Sequence, residues 1–197
     1  MNDSADDDVQ PAAEMEARLR AVTIGEPEVL QGPVRLEPYD PRWPAWYEQL
    51  ALRIRRALGH TVVRIEHAGS TSVPGLTAKP VIDIVLEVPD STDESAFVPQ
   101  LEHEGFVLRA REPEWFEHRL LKHGDPACNL HVFSAGCEEA DRMLRFRDHL
   151  RTNAEDRTLY AGTKRELAAR DWRYLQQYAD AKTEVVAAIN ERATRAR

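Results

Sequence analysis

Cysteine is scarce in this chain of 197 residues, which contains only Cys128 and Cys137. Two cysteines cannot build the disulfide framework of a small secreted domain, and their spacing fits no common zinc motif. Together with His131 they would offer three zinc ligands on one hairpin, but buried thiols and a strand histidine are the preferred interpretation. The sequence therefore predicts neither a disulfide framework nor a zinc centre.

Long apolar runs are also absent. No segment approaches the roughly 20 apolar residues that a membrane-spanning helix needs. The acidic start, Met-Asn-Asp-Ser-Ala-Asp-Asp-Asp, has the wrong charge for a signal peptide. We therefore expect a cytoplasmic protein without a membrane partner.

Basic residues are too few to give the chain a positive charge. Its 26 Lys and Arg face 34 Asp and Glu, so the formal net charge is -8. Non-specific nucleic-acid binding relies on many Lys and Arg contacts to phosphates, and we therefore expect no nucleic-acid partner. A small anionic ligand needs only a local basic pocket, which this balance permits.

The length suits one sizeable domain with a core, and the first 32 residues differ in composition from the remainder. Residues 1 to about 13 are acidic and poor in large apolar side chains, so we expect them to be disordered, with a short helix following over 14–21. We predict a flexible acidic tail over 1–32, which is dispensable for folding, and one domain over 33–195.

The domain contains strand-like and helix-like patterns that predict an α/β fold with a mixed β-sheet. Nearly continuous apolar residues over 81–88 indicate a strand buried on both faces, and hence inside the sheet. The segments 117–122 and 128–133 have the pattern of a hairpin. Further strands are predicted over 34–36, 62–67 and 106–110, and helices over about 41–58 and 91–104. Beyond Gly136 the apolar residues follow helical spacing, so the last third should consist of helices packed on the sheet.

The most informative segment is a loop of small residues between two predicted strands, His67-Ala68-Gly69-Ser70-Thr71-Ser72-Val73-Pro74-Gly75. Glycine lets the backbone approach a ligand closely, and a loop of this kind leaves N–H groups free for anionic oxygens. Asp83 opens the following strand, where a carboxylate is costly to bury unless it is paired, hydrogen-bonded or bound to a metal. An ordinary strand-to-helix turn would use the same loop residues, so the loop alone does not establish a phosphate site.

Two tyrosine–lysine pairs add basic groups in the last third of the chain. Tyr160 with Lys164, and Tyr178 with Lys182, are spaced i and i+4 and would share a helix face. Lys182 lies on an otherwise apolar stripe, where a lysine must reach solvent, pair with an acid or point into a pocket. A bound phosphate and an internal ion pair with Asp83 are both compatible with this position.

Several segments together resemble the GrpB family of the nucleotidyltransferase superfamily. They are residues 34–44, the glycine loop with Asp83, Asn129-Leu130-His131-Val132, and the region 147–182, so the resemblance covers about residues 33–190. It implies a nucleotidyltransferase-like mixed sheet with flanking helices and a helical C-terminal third. The implied activity is a Mg²⁺-dependent nucleotidyl transfer from a nucleoside triphosphate to an unknown small-molecule acceptor.

The resemblance also implies roles for particular residues. Asp83 is expected to bind Mg²⁺ and, with His131, to act in catalysis, although a hydrogen-bonded structural histidine is the alternative for His131. The residues expected to bind the nucleotide or other phosphorylated ligand are Gly69, Ser70, Thr71, Lys79, Arg119, Tyr160, Lys164, Tyr178 and Lys182.

One position departs from the superfamily pattern. Nucleotidyltransferases usually carry two acids separated by one residue on this strand, but the second position here is Val85. Glu87 lies about 13 Å along the strand from Asp83, too far to share a metal ion, and is expected at a solvated strand end. The alternative function is therefore a non-catalytic binder or sensor of a nucleotide or other phosphorylated ligand. A third is an enzyme that uses the phosphate pocket for other chemistry.

Overall fold

A computed structural model describes residues 6–195 of the chain. The strands are β1 (Arg64–Ala68), β2 (Ile82–Val88), β3 (Val107–Glu112), β4 (His118–His123) and β5 (Cys128–Ser134). The α-helices are α1 (Asp6–Val22), α2 (Trp43–Leu58), α3 (Val98–His103), α4 (Glu138–Thr152), α5 (Ala154–Ala168), α6 (Leu175–Asp180) and α7 (Thr183–Arg195). Within this part of the chain, every helix is too short or too polar to cross a bilayer.

The strands form one five-stranded sheet in the order β1-β2-β5-β4-β3. β2 pairs antiparallel with β1 and parallel with β5, whereas β5, β4 and β3 are joined by antiparallel pairing. The predicted mixed α/β fold with a helical C-terminal third is thus confirmed. The predicted interior position of β2 and the β4–β5 hairpin are also observed.

Different helices cover the two faces of the sheet. On one face, Ile84 packs in a cluster with Trp43 of α2. On the other face, Val85 packs in a cluster with Leu144 of α4. Because side chains alternate along a strand, Asp83 shares the face of Val85. The strand pattern therefore places the carboxylate on the side of the sheet that carries α4.

Three local predictions need correction. The strand expected over 34–36 does not form, because Pro33 and Pro38 bound this segment and only Glu37 makes a bridge, to Ala78. The helix expected over 91–104 is shorter, since α3 begins at Val98, with a proline in its first turn. Glu87 is not at a solvated strand end: it is buried and forms an ion pair with the Arg64 guanidinium of the neighbouring strand.

The N-terminal segment contains a longer helix than the one predicted over 14–21. Residues 1–5 lie outside the described part of the chain, and α1 begins at Asp6. The flexible tail over 1–32 stays a prediction. The helix is followed by a backbone hydrogen bond from Ile24 N–H to the Arg109 carbonyl, 2.8 Å long. The hydroxyl of Tyr174 donates to Glu16 at 2.9 Å. These contacts hold the segment against β3 and the C-terminal helices.

Candidate functional site

The glycine loop and Asp83 meet where β1 ends. Strand pairing places Ala68 opposite Asp83, and the chain then turns through Gly69 into a single 3-10 turn, Ser70–Ser72. Gly69 has φ +64° and ψ −170°, a conformation that only glycine adopts readily. A Cβ atom at Gly69 would lie 2.2 Å from Oδ2 of Asp83. The loop therefore requires glycine here because the carboxylate lies directly against its backbone.

Asp83 is held by two side chains of β5. Asn129 donates from Nδ2 to Oδ1 at 3.0 Å, and Nε2 of His131 lies 3.7 Å from the same oxygen. Burial raises the pKa of Asp83, but contacts with His131 and Asn129 outweigh burial and leave the pKa below its usual value. The carboxylate is therefore ionised at neutral pH. Within residues 6–195 no lysine forms an ion pair with it, so the internal Asp83–Lys182 pair is not observed.

Lys164 connects the C-terminal helices to the loop. Its side chain projects from α5, is only 2% exposed, and donates from Nζ to Ser70 Oγ at 3.0 Å and to the Thr77 carbonyl. The ammonium also lies 4.8 Å from the centre of the Tyr160 ring. Burial, together with repulsion from nearby cations, first of all Lys182, lowers the pKa of Lys164 to about 7. A buried ammonium without a carboxylate partner is poised to accept an anion.

Two further lysines lie near this ammonium. Lys182 falls in the turn between α6 and α7, with Nζ 4.4 Å from the centre of the Tyr178 ring. Burial and repulsion from Lys79 lower the pKa of Lys182 to about 8. Burial likewise lowers the pKa of Lys79, and the negative charge of Asp83 only partly offsets this. Three of the four lysines in the sequence are thus attracted by the charge of Asp83, and repulsion acts between Lys182 and Lys164 and between Lys182 and Lys79.

The two tyrosines of these pairs are buried. Burial raises the pKa of Tyr160, and it raises the pKa of Tyr178 to about 12, so both rings carry neutral hydroxyls at pH 7. The Tyr178 hydroxyl is buried and makes no hydrogen bond to any described residue. Buried polar groups in proteins are almost always satisfied. An oxygen of a bound ligand would supply the missing partner.

Two of the predicted ligand-binding residues point elsewhere. Arg119 lies on the opposite face of the sheet, because it pairs with Val132 in register, and its guanidinium is bound to Glu94 at 2.7 Å. Thr71 is 1% exposed, and its hydroxyl lies 3.0 Å from Nε2 of His67. Neither side chain is available to a ligand at Asp83. The structure therefore corrects these two predictions.

A hydrogen-bonded histidine pair was missed in the sequence. Nδ1 of His131 lies 3.1 Å from Nε2 of His118, whose Nδ1 lies 2.7 Å from Oε2 of Glu112. Burial lowers the pKa of His118 to about 4, so this ring is neutral. If its Nδ1–H donates to Glu112, its Nε2 must accept from His131. The Nε2 atom of His131 is then left facing Asp83, free to gain a proton or bind a cation.

One carboxylate oxygen of Asp83 has no partner among the described side chains. Oδ2 of Asp83 accepts no hydrogen bond from the described residues, and Mg²⁺ is commonly held by one or two carboxylates plus the phosphates of a substrate. Val85, where a second acid would lie, is fully buried among apolar groups. Residues 6–195 contain no cluster of three His, Cys, Asp or Glu side chains. A metal held entirely by protein ligands is not supported.

Comparisons with known proteins identify the family. The sequence profile described as GrpB protein matches residues 33–192, so the chain belongs to the GrpB family, as the resemblance predicted. A UPF0157 protein of Halalkalibacterium halodurans is 55% identical over 175 residues, covering 89% of this chain and 90% of that protein. The crystal structure of conserved protein GrpB from Enterococcus faecalis has a TM-score of 0.69 and 27% identity, covering 81% of this chain and 96% of that chain.

Another relative is a longer protein that is named as an enzyme. A dephospho-CoA kinase of Mycolicibacterium paratuberculosis is 30% identical over 190 residues, which cover 83% of this chain and 45% of that protein. The similarity thus extends over less than half of the kinase.

Proposed function

We propose that this chain binds a nucleoside triphosphate, or a related phosphorylated molecule, between the glycine loop and the C-terminal helices. The observation that carries the proposal is the cluster of Lys79, Lys164 and Lys182 beside a single carboxylate. Because all three ammonium groups are partly desolvated and Lys182 is repelled by Lys79 and repels Lys164, phosphate oxygens would stabilise the charged form of each lysine. Backbone N–H groups of the loop and the Tyr178 hydroxyl would complete the phosphate contacts.

Nucleotidyl transfer to a small-molecule acceptor is the activity that we propose for this site. Lys164 and Lys182 would neutralise the charge that develops on the transferred group. Asp83 would hold a Mg²⁺ ion together with the phosphates, and that ion would add electrostatic stabilisation. His131 could hold or release a proton at Nε2, next to the carboxylate. Its orientation is fixed by His118.

A second candidate function is a sensor that binds the ligand without transferring a group. The buried, apolar Val85 favours it, because two-metal transfer needs further carboxylates to hold ions about 3.5–4 Å apart. The similarity to part of a dephospho-CoA kinase adds coenzyme A precursors to the ligands worth testing.

A thermal-shift screen tests whether a ligand binds. Nucleoside triphosphates, dephospho-CoA and inorganic triphosphate would each be added with and without Mg²⁺. A ligand that binds only the folded chain stabilises it by about 2.7 kcal/mol at a hundredfold excess over its Kd. The proposal expects at least one phosphorylated compound to raise the melting temperature. If none does at millimolar concentration, phosphate binding at this site is wrong.

Two substitutions separate binding from metal-dependent transfer. Lys182→Ala should weaken ligand binding about tenfold or more, because it removes a charge-assisted contact made in the ground state. Asp83→Asn should leave metal-free binding intact and abolish both the Mg²⁺-enhanced shift and any turnover. Lys122→Ala, at the remaining lysine of the chain, is the matched control. Metal-enhanced binding that survives Asp83→Asn would exclude Asp83 as a magnesium ligand and leave the sensor as the better account.

A further inference from the structure

A separate cavity of about 600 Å³ opens beside the edge strand β1. Its walls come from three parts of the chain: residues 39–48, residues 66–74 and residues 147–157. Each of these parts overlaps a segment that carries the resemblance to the GrpB family. The volume is in the usual range for small-molecule sites, about 300–1,000 Å³. None of the chain's lysines lines the cavity, although Ser72 and Pro74 of the glycine loop form part of its wall.

Three arginines form one side of this cavity, and two of them keep free donors. Arg147 is occupied, because its Nη1 donates to Glu66 and to the His67 carbonyl, both at 2.9 Å. Arg151 donates from Nε to the Ser72 carbonyl at 3.0 Å, and Arg157 donates from Nη1 to two main-chain carbonyls of α4. The Nη2 atoms of Arg151 and Arg157 donate to no described residue. These main-chain contacts fix both side chains while leaving charge available to a ligand.

Aromatic and proline rings also line the cavity. The Tyr47 ring stacks on His67 with centroids 4.8 Å apart, and Tyr39 packs edge-on against Trp43 at 5.3 Å. Pro44 and Pro74 add apolar surface to the lining. A lining that combines rigid rings with guanidinium groups suits a molecule with a planar apolar body and an anionic group.

Two carboxylates also line the cavity and affect its charge. Glu66 is paired with Arg147, whereas Glu48 is exposed and makes no hydrogen bond to the described residues. Asp148, which is outside the lining, lies 2.7 Å from Nε of Arg147 and 3.4 Å from Nη1 of Arg151. The lining itself carries three arginines and two glutamates, so positive groups outnumber negative ones within it.

We infer that this cavity is a second ligand site, which binds a small molecule carrying a carboxylate or phosphate group on an aromatic ring. Arg151 and Arg157 hold the anionic group, and Tyr39, Tyr47 and Pro74 contact the ring. The planar guanidinium fork can bind either oxyanion with two parallel hydrogen bonds. The charged groups of this site are separate from the lysine cluster, but both sites contact the glycine loop, Arg151 at Ser72 and Lys164 at Ser70.

The test uses benzoate and phenyl phosphate as probes, followed through the Nε–Hε signals of arginine side chains in NMR spectra. Both signals, at Arg151 and Arg157, should shift saturably with one or both probes. Phenol, which lacks the charge, and inorganic phosphate, which lacks the ring, should each bind at least tenfold more weakly. Preference between benzoate and phenyl phosphate then distinguishes a carboxylate ligand from a phosphate ligand.

Substituted proteins show which residues bind the probes, and one of them distinguishes lost binding from misfolding. Arg157→Lys should weaken probe binding at least tenfold, because lysine keeps the charge but loses the fork. Arg56→Lys, at an exposed position on α2, is the matched control. Glu48→Gln should strengthen binding, a gain that an unfolded protein cannot show. Probe binding that disappears in the Lys164→Met, Lys182→Met double variant would place the ligand at Asp83 and overturn the inference, as would the absence of saturable shifts.

Discussion

Gly69 and Gly75 lie in the same loop with similar φ angles but in different surroundings. Their φ angles are +64° and +77°, so an alanine at either position would be strained. A Cβ at Gly69 would collide with the Asp83 carboxylate, whereas a Cβ at Gly75 would meet no atom within 4 Å. The pair therefore allows backbone strain to be separated from the contact that forms the site.

We predict that Gly69→Ala abolishes ligand binding, whereas Gly75→Ala preserves it. Both substitutions should lower the free energy of unfolding by about 1–3 kcal/mol through backbone strain. Only Gly69→Ala also displaces Asp83. Urea unfolding and thermal shifts with a phosphorylated ligand would measure the two effects. Equal losses of binding in the two variants would mean that loop strain, not contact with Asp83, controls the site.

Lys164 gives a prediction about pH. Its pKa is about 7 in the folded chain and its usual value is 10.5, so between these values the unfolded chain binds a proton that the folded chain lacks. Stability should therefore rise with pH from about 7 towards 9, by at most about 1.4 kcal/mol per pH unit from this group. Lys164→Met should flatten the rise without removing it, since the lowered pKa of Lys182 acts in the same direction.

Urea unfolding at pH 7, 8 and 9 would measure this slope in the wild-type chain and in Lys164→Met. Lys122→Met controls for the loss of a lysine elsewhere. Equal slopes in the wild type and in Lys164→Met would show that the Lys164 ammonium is not desolvated in the folded state.

At the scale of whole elements, hydrophobic patterns identified the strands and helices that have strong periodicity. The apolar run of β2 predicted an interior strand, and the helical spacing after Gly136 predicted α4 to α7. Segments without such patterns were less predictable, and residues 34–36 are an example. The apolar side chains of that segment favour a strand. The proline at each end, however, lacks a backbone N–H and cannot donate to a neighbouring strand, and this effect outweighs the side-chain preference.

The residues of the candidate site could likewise be predicted only in part from the sequence. Gly69, Ser70, Asp83, His131, Lys164 and Lys182 could be proposed from their chemistry and from the family resemblance. The misplacement of Arg119 and the missed His118 both depend on the pairing of β4 with β5. A shift of one residue in register reverses every side chain of a strand, and sequence pattern alone does not fix that register. Neither residue could be assigned to a face before the strand pairing was known.

Helix α1 provides a prediction for truncated chains. A chain starting at Thr23 loses exposed ion pairs such as Arg18–Asp180 and the partly buried hydrogen bond from the Tyr174 hydroxyl to Glu16, and should lose about 1–2 kcal/mol. A chain starting at Gln31 also loses Ile24, which packs against the main core, and should lose about 2 kcal/mol more. Both should keep one cooperative unfolding transition in calorimetry. A chain from Gln31 that unfolds without cooperativity would show that residues 23–30 belong to the folding unit.

At the scale of the whole molecule, anion binding depends more on where the charged side chains lie than on the net charge. The chain has a formal net charge of -8, yet three of its four lysines lie around Asp83. Salt screens charges at about 8 Å under physiological conditions, so a small ligand in the site interacts mainly with the nearby ammonium groups. A long polyanion extends beyond them and interacts with the remainder of a chain whose net charge is negative. Overall charge thus limits the size of the anion that the site can accept.

We predict that a labelled 20-nucleotide single-stranded RNA does not bind saturably at 150 mM salt, under conditions in which a nucleoside triphosphate raises the melting temperature. Each phosphate beyond the site adds repulsion rather than the counterion release that drives nucleic-acid binding. Fluorescence anisotropy at 50 and 150 mM salt would measure this, with the triphosphate added as a competitor. Micromolar RNA binding that weakens steeply with salt would instead indicate several phosphate contacts. Competition by the triphosphate would then place one end of the RNA in the lysine site, with an acceptor that is itself a nucleic acid.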